Sequence, residues 1–317
     1  MELIPFLIEK NIPFEENVPL SKKTWIKTGG MCTCWIVPAS LEQLKEVCIY
    51  LYANGIVFDL VGQTSNIFFH STYNPKIVVS TVKVNKYGIT DDTISCECGV
   101  AVMKLAKDLL ARGYAGFYGL TGLPGTVGAA MTNNAGCFNC SLSSMLIDAL
   151  VLMPDGKIRT ISRDDFKYDH RTSAFKRREI SGTILSAKLK INKADNQEEE
   201  LLKSQRTIEH RKIRQEGPRL NLGSIYAHRE KRRNIRNYMA HCLASLMSIL
   251  CNGGWSRFHK KALLLLYNYR DIDEYISDKK INTFIWRDSK AEEKFFRYKE
   301  FMGEVYKNLE IEIEEMI

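Results

Sequence analysis

Apolar positions recur along the chain in two periods, and each period predicts its own kind of element. Leu41, Leu44, Cys48 and Leu51 fall on one helical face, so residues 41–55 read as a helix. Ser40 with Gln43 forms a capping box at its start, and Gly55 marks its end. The run "IVFDLVG" that follows predicts a buried strand, then a small polar turn "QTSN", then "IFF". "KIVVSTV" (76–82) and "TISCECGV" (93–100) are further strands, and the second leads into a helix, "AVMKLAKDLLARG", closed by Gly113. "ALVLMPDGKIRTIS" reads as a hairpin turning at Pro154-Asp155-Gly156, and "GTILSAKLKI" (182–191) as another strand. Strands and helices alternating in this way predict an α/β or α+β domain.

A charged break, "NKADNQEEE", precedes a long polar helix ending near Gln215, and a domain boundary is placed there. The last third is more helical. "YMAHCLASLMSIL" (238–250) is one helix. "AEEKFFRYKEFMGEVYKNL" (291–309) is another, opening on a Ser289/Glu292 capping box and burying Phe295, Tyr298, Met302 and Val305. The closing "LEIEIEEMI" alternates like a strand.

Composition narrows the class. With 317 residues and 45% hydrophobic content there is room for two or three domains and a real core. No apolar run reaches membrane-spanning length, and the start lacks the basic end and cleavage site of a secretory signal, so a cytoplasmic enzyme is expected. The nine cysteines are scattered, as free thiols in a reducing compartment would be. Cys137 and Cys140 form a C-x-x-C, but no second pair completes a tetrahedral set, so no metal site is expected. The formal charge of +8 favours anionic partners without choosing among them. The densest basic run, "HREKRRNIR" (228–236), lacks interleaved aromatic residues and reads as a solvated or phosphate-facing helix start. Neither nucleic acid nor membrane is expected as a partner.

The chemistry concentrates in "GLTGLPGTVGAAMTNNAG", where Gly119, Gly122, Gly125 and Gly128 stand three apart with no charge among them. Glycine so dense is tolerated where backbone must turn sharply or lie close against something. This is neither a G-x-G-x-x-G fingerprint nor a Walker A sequence. "VGQTSN" (61–66) is a second small-residue turn, with Thr64, Ser65 and Asn66 able to hydrogen-bond phosphate. Two such loops far apart in sequence suggest one long ligand with a diphosphate and a ring system, against the alternative of two ordinary tight turns.

"WIKTGG", "VGQTSN", "GLTGLPGTVGAAMTNNAG", "HRTSAF", "LGSIY" and "LEIEI", in this order, resemble the UDP-N-acetylenolpyruvoylglucosamine reductase (MurB) family. The resemblance runs continuously over about residues 20–226 and in fragments beyond. It implies an α+β protein with a two-part FAD-binding domain of the vanillyl-alcohol-oxidase type, its lobes at 1–84 and 85–200, and a divergent substrate-binding domain at 201–317. It also implies non-covalent FAD held by Gly62, Gln63, Thr64, Ser65 and Asn66, and by Gly122, Pro124, Gly125, Thr126, Gly128, Asn134 and Gly136. NADPH would be the reductant and a nucleotide-sugar enolpyruvyl ether the substrate, in peptidoglycan precursor synthesis.

The same resemblance gives Arg171 the role of steadying a developing enolate, Ser224 that of delivering a proton to carbon, and Glu312 that of assisting from the far side. Such an enolate needs a cation or donor beside it, and the neighbouring carbon needs a proton. Thr64 stands where the family's G-x-G-S-N loop has its second glycine, and Ala227-His228-Arg229 follow Ser224 in place of an approach to Lys-Asn-Pro. Two other readings remain open: a relative with a changed substrate, as in polysaccharide synthesis, and a flavin- or nucleotide-binding protein without turnover.

Overall fold

The computed structural model describes residues 2–217 and 220–317. These form two compact units. The first comprises residues 1–23, 29–65 and 73–208, and the second residues 24–28, 66–72 and 209–317.

The first unit holds two sheets. After helix α1 (Leu3–Glu9), strands β1 (Phe14–Pro19) and β2 (Met31–Ile36) pair antiparallel. Helix α2 (Leu41–Ala53) then crosses to β3 (Asp59–Val61). The short strand β4 (Ile67–Phe69) belongs to the second unit, and β5 (Ile77–Ser80) completes a sheet of order β1-β2-β5-β3. Leu44, Val47, Cys48 and Leu51 of α2 bury against Ile36, Ile77 and Val79, each such side chain contributing about 1.5–3 kcal/mol. Ser40 caps α2 by accepting from the Gln43 N–H, while the Gln43 side chain accepts from Ala39, one residue before the box predicts.

Strands β6 (Tyr87–Thr90) and β7 (Thr93–Glu97) open the second sheet and lead to helices α3 (Val102–Ala111) and α4 (Val127–Asn133). A two-residue hairpin joins β8 (Gly136–Cys137) to β9 (Cys140–Ser141). Then come β10 (Leu146–Leu152), β11 (Ile158–Ser162) and β12 (Thr183–Lys190), giving the order β11-β10-β12-β7-β6. Alternation along β10 sends Ala149 and Val151, and a register shift between Leu146 and Asp148 brings Leu146 as well, into a core shared with Leu105 and Leu109 of α3 and Val127 and Met131 of α4. Helix α4 is therefore set by its apolar face, and the loop before it inherits that position.

Helix α5 (Gln197–Arg214) passes from the first unit to the second at Ile208–Glu209. In the second unit β13 (Tyr226–Lys231) precedes helices α6 (Ile235–Leu250), α7 (Trp255–Leu266) and α8 (Ala291–Val305). Strand β14 (Tyr306–Ile311) pairs antiparallel with β13, and β15 (Glu314–Met316) runs parallel to β4. The core here is aromatic. Phe68 of β4 meets Phe295 of α8 with centroids 5.1 Å apart, and Phe284 meets Trp286 edge-on at 4.8 Å.

Three local readings of the sequence change. The basic run at 228–236 is not a helix start throughout: it finishes β13, and the helix begins only at Ile235. Helix α8 ends at Val305, four residues early, because Tyr306 turns extended to pair with Lys231. Its N-cap is Lys290, without a side-chain cap bond, since the Glu292 carboxylate accepts instead from the Ser71 N–H at 3.1 Å. Among the described residues no helix is long and apolar enough to cross a membrane.

Candidate active site

The two small-residue loops, far apart in sequence, meet in the first unit. The Gln63 side-chain oxygen accepts from the Gly125 N–H at 2.9 Å. A Cβ on Gly62 would lie 2.4 Å from the Thr126 hydroxyl oxygen, and one on Gly125 would lie 3.5 Å from that of Ser65. Gly125 has φ +115, a conformation open to glycine. Thr64 has φ +55 and is buried; a β-branched residue in that region carries strain of about 1–2 kcal/mol. The loop thus keeps at Thr64 the left-handed turn that a glycine would give without strain.

Other glycines of the stretch serve packing against protein. A Cβ on Gly119 would meet the Cys137 carbonyl at 2.3 Å, one on Gly128 would meet the Cys98 Cβ at 3.1 Å, and one on Gly136 would meet the Cys140 carbonyl at 2.7 Å. Gly128 therefore lets α4 lie against Cys98, just beyond β7, and Gly136 lets β8 lie against β9, beyond any room left for a ring. Residues 128–129 and 132–138 remain half-buried, a strip of mostly small and amide side chains. Within it the Asn133 side-chain oxygen is buried with no hydrogen-bond partner, whereas such groups are normally satisfied. An acceptor of this kind, a loop pair fastened by Gln63 and closely approaching backbone suit a long ligand with a donor-bearing ring. FAD fits these residues.

Helix α4 ends at Asn134 in the left-handed conformation (φ 46), and that residue organises the next motif. The Asn134 side-chain amide donates to the Asp169 carbonyl at 2.7 Å, and the Ser173 hydroxyl donates to the Thr132 carbonyl at 2.6 Å. Asp169 and Thr172 exchange backbone hydrogen bonds across the turn that carries Arg171, which is half-buried with φ +57. Arg171 is thus fixed to the end of the glycine stretch. Cys137 and Cys140 close a two-residue hairpin whose turn residues, Phe138 and Asn139, both have positive φ, as a type I′ turn requires.

In the second unit the Ser224 hydroxyl accepts from the Lys280 ammonium at 2.6 Å. Two segments are laced together to bring this about. The buried Asn282 donates to the Tyr226 carbonyl at 2.8 Å and accepts from the Tyr226 N–H at 3.1 Å, while the Ile225 N–H donates to the Asn282 carbonyl at 2.9 Å. The Ser277 hydroxyl accepts from the Lys280 N–H at 3.2 Å and donates to the Glu216 carboxylate at 2.5 Å. Lys280 carries no motif in the sequence, and only this lacing reveals it.

Glu312 falls between β14 and β15, half-buried, its N–H donating to the Ile225 carbonyl at 2.8 Å. Its own carbonyl accepts from the Asn66 side chain at 3.2 Å, and the Glu314 N–H donates to the Asn66 carbonyl at 2.9 Å. Ser224, Glu312 and Asn66, from three separate motifs, therefore lie together within the second unit, while Gly62–Ser65 and Arg171 belong to the first. His70, beside this group, lies 3.3 Å from the Glu315 carboxylate, which also pairs with Lys299 at 2.9 Å.

Residues 33–162 match the FAD binding domain family. The solved structure of UDP-N-acetylenolpyruvylglucosamine reductase (MurB) from Thermus caldophilus superposes with a TM-score of 0.68 at 17% identity, over 96% of this chain and all of that one. The chain shares the fold of that solved reductase, and the segment matched by the FAD binding domain family lies within it. Its mixed helix and sheet is an α+β architecture, and FAD is the cofactor named by the domain family that residues 33–162 match. A UDP-N-acetylenolpyruvoylglucosamine reductase 2 of Bacillus cereus is 27% identical over 184 residues, 58% of this chain and 60% of the relative. The reductase of Carboxydothermus hydrogenoformans is 29% identical over 220 residues, 69% of this chain and 72% of its own. The match spans only 53–60% of the length of the first Bacillus relatives, although the MurB fold extends through both units.

Proposed function

We propose that the protein is an FAD-dependent reductase that uses NADPH to reduce UDP-N-acetylglucosamine enolpyruvate to UDP-N-acetylmuramate, a peptidoglycan precursor, in the cytoplasm. The observation that carries this reading is the Lys280–Ser224 hydrogen bond, held beside the main chain of Glu312. FAD, when bound, supplies hydride chemistry between the nicotinamide and the enolpyruvyl carbon. The chain's residues supply the rest. Gly62–Asn66 would hold the diphosphate, and Gly122–Gly128 and Asn134–Gly136 would run beside the ring and diphosphate. Arg171 would face the enolate charge, and Ser224 would hand its hydroxyl proton to the neighbouring carbon. A serine hydroxyl is a weak acid, and an ammonium donating to its oxygen makes the proton easier to give up. Glu312 would assist from the opposite side.

The test is the visible spectrum of the purified protein, its bleaching by NADPH, and its recovery on adding the enolpyruvyl sugar. A colourless protein that FAD does not reconstitute would refute the reading. A second reading, the same flavoprotein acting on another nucleotide sugar, is favoured by the α6–α7 pair, which occupies the stretch where the motif resemblance lapses. Bleaching by NADPH without recovery would select it.

A further inference from the structure

Helix α6 is bound to its unit by a narrow stripe. Asn237, Ala240 and Ala244 are its buried residues, with the Asn237 amide donating to the Arg232 and Val305 carbonyls at 2.8 and 2.9 Å. Apart from the half-buried Ser245 and Ser248, the rest of the helix faces outward, and most of it is apolar. Ile235, Tyr238, Ile249 and Leu250 are each at least 70% exposed, and Leu246 is 55% exposed. Of the 26 exposed large hydrophobic residues among those described, nine lie between Ile235 and Trp255. Isolated exposed leucines need no explanation, but a concentration of this kind marks a surface that meets something.

Charge says what that something is. Residues 231–270 contain eight of the chain's 45 basic residues and none of its 37 acidic ones, so the whole formal charge of +8 resides in this segment. Lys260 is buried between Asp273 and Asp278, and Arg257 lies 3.7 Å from Asp278. Lys231, Arg232, Arg233 and Arg236 cluster at the start of α6, where Arg232, Arg233, Ile235, Tyr238 and His241 line a groove of about 530 Å³.

We propose that this face of α6 binds the surface of an anionic lipid bilayer. The cations would meet the headgroups while Leu246, Ile249, Leu250 and Trp255 enter the acyl boundary, as amphipathic helices do. A nucleic acid would use the cations and leave the leucines and isoleucines in water. A second copy of the chain would cover the apolar residues and leave the cations unanswered. An anionic bilayer satisfies both features, and it departs from the expectation that the chain meets no membrane. The inference concerns where the protein resides and holds for any substrate.

Flotation of the FAD-bound protein with vesicles of phosphatidylglycerol or of phosphatidylcholine tests it. Binding to phosphatidylglycerol at least tenfold tighter, and weakened by high salt, is expected. The double variant Leu246→Asp/Ile249→Asp should lose at least tenfold of that binding while keeping its flavin spectrum and melting temperature. Vesicles should also shield the exposed Cys242, within α6, from a water-soluble thiol reagent. Absence of preference for the anionic vesicles would overturn the proposal. So would a dimer dissociated by Leu246→Asp/Ile249→Asp without vesicle binding, or RNA binding that the same variant leaves intact without vesicle binding.

Discussion

The ammonium of Lys280 lies 2.6 Å from the hydroxyl of Ser224, and the buried Asn282 holds the two loops that carry them. If Ser224 gives its proton to carbon, it acts only after NADPH has reduced the protein-bound cofactor. Ser224→Ala should leave that reduction nearly unchanged and slow reoxidation by the enolpyruvyl sugar by about a hundred- to ten-thousandfold. Lys280→Met should slow the same step by about ten- to a hundredfold, with partial rescue by Lys280→Arg. Stopped-flow measurement of each half-reaction is the check, and equal losses in both would make the pair structural.

The meeting of the two loops gives a second prediction. Gly62→Ala drives a methyl into the buried Thr126, and overpacking of this kind costs about 1–3 kcal/mol. FAD affinity, followed by flavin fluorescence, should fall by about tenfold or more. Adding Thr126→Ala removes the clashing atoms and should recover most of the loss. Strictly additive losses would mean that the loops do not touch.

Thiol reactivity should divide the nine cysteines three ways. Cys242 and Cys251 are exposed and should react first, Cys137 more slowly, and the six buried ones only on unfolding. Burial raises the Cys48, Cys96 and Cys98 thiols to about 12, which keeps them protonated and inert at neutral pH. Replacing Cys137 and Cys140 by serine should leave flavin stoichiometry unchanged, since their place is the closure of a tight hairpin. Stoichiometric zinc in the purified protein would contradict this account.

Acid should loosen the second unit through His259. Burial, with Lys231 at 3.2 Å and His241 nearby, lowers its imidazole to about 4, and the Trp255 ring stacks on it at 4.5 Å. The unfolded chain takes up this proton near pH 6.5 and the folded one only near 4, so this contribution is complete above 6.5 and is lost as the pH falls from 6.5 to 4. His259→Gln should flatten the fall in melting temperature across that window. An unchanged slope would place the acid sensitivity elsewhere.

Legibility followed the reach of the interactions. Helix α2 could be read from Leu44, Cys48 and Leu51 because its cap and its apolar face are local. The hairpin of β10 and β11 was equally plain from its turn at Gly156. Arg171 and Ser224 stood out through their motifs, but what holds each did not. Asn134 and Asn282 act through carbonyls and N–H groups dozens of residues away, which no periodicity encodes. Helix α8 begins at Ala291 as its apolar face predicts, but it loses its predicted cap because Glu292 is drawn to Ser71, over 200 residues earlier, and it ends early because Tyr306 pairs with Lys231. Lys280 could not be found by any pattern, since a lysine among lysines carries no signal until the loops close.

The chain passes between its two units at residues 23/24, 28/29, 65/66, 72/73 and 208/209. Phe68 and Ile26, supplied by the early segments, sit in the core of a unit otherwise formed by the last third of the chain, and β15 has β4 as its partner. Cutting at residue 208 therefore yields a fragment deprived of a strand and of two buried side chains, not a transplantable module. Swapping the C-terminal half for that of a relative would fail unless residues 24–28 and 66–72 travelled with it. Tailoring such a protein to a new substrate is then a matter of replacing side chains and lengthening loops in place, because the thread itself forbids a simple splice.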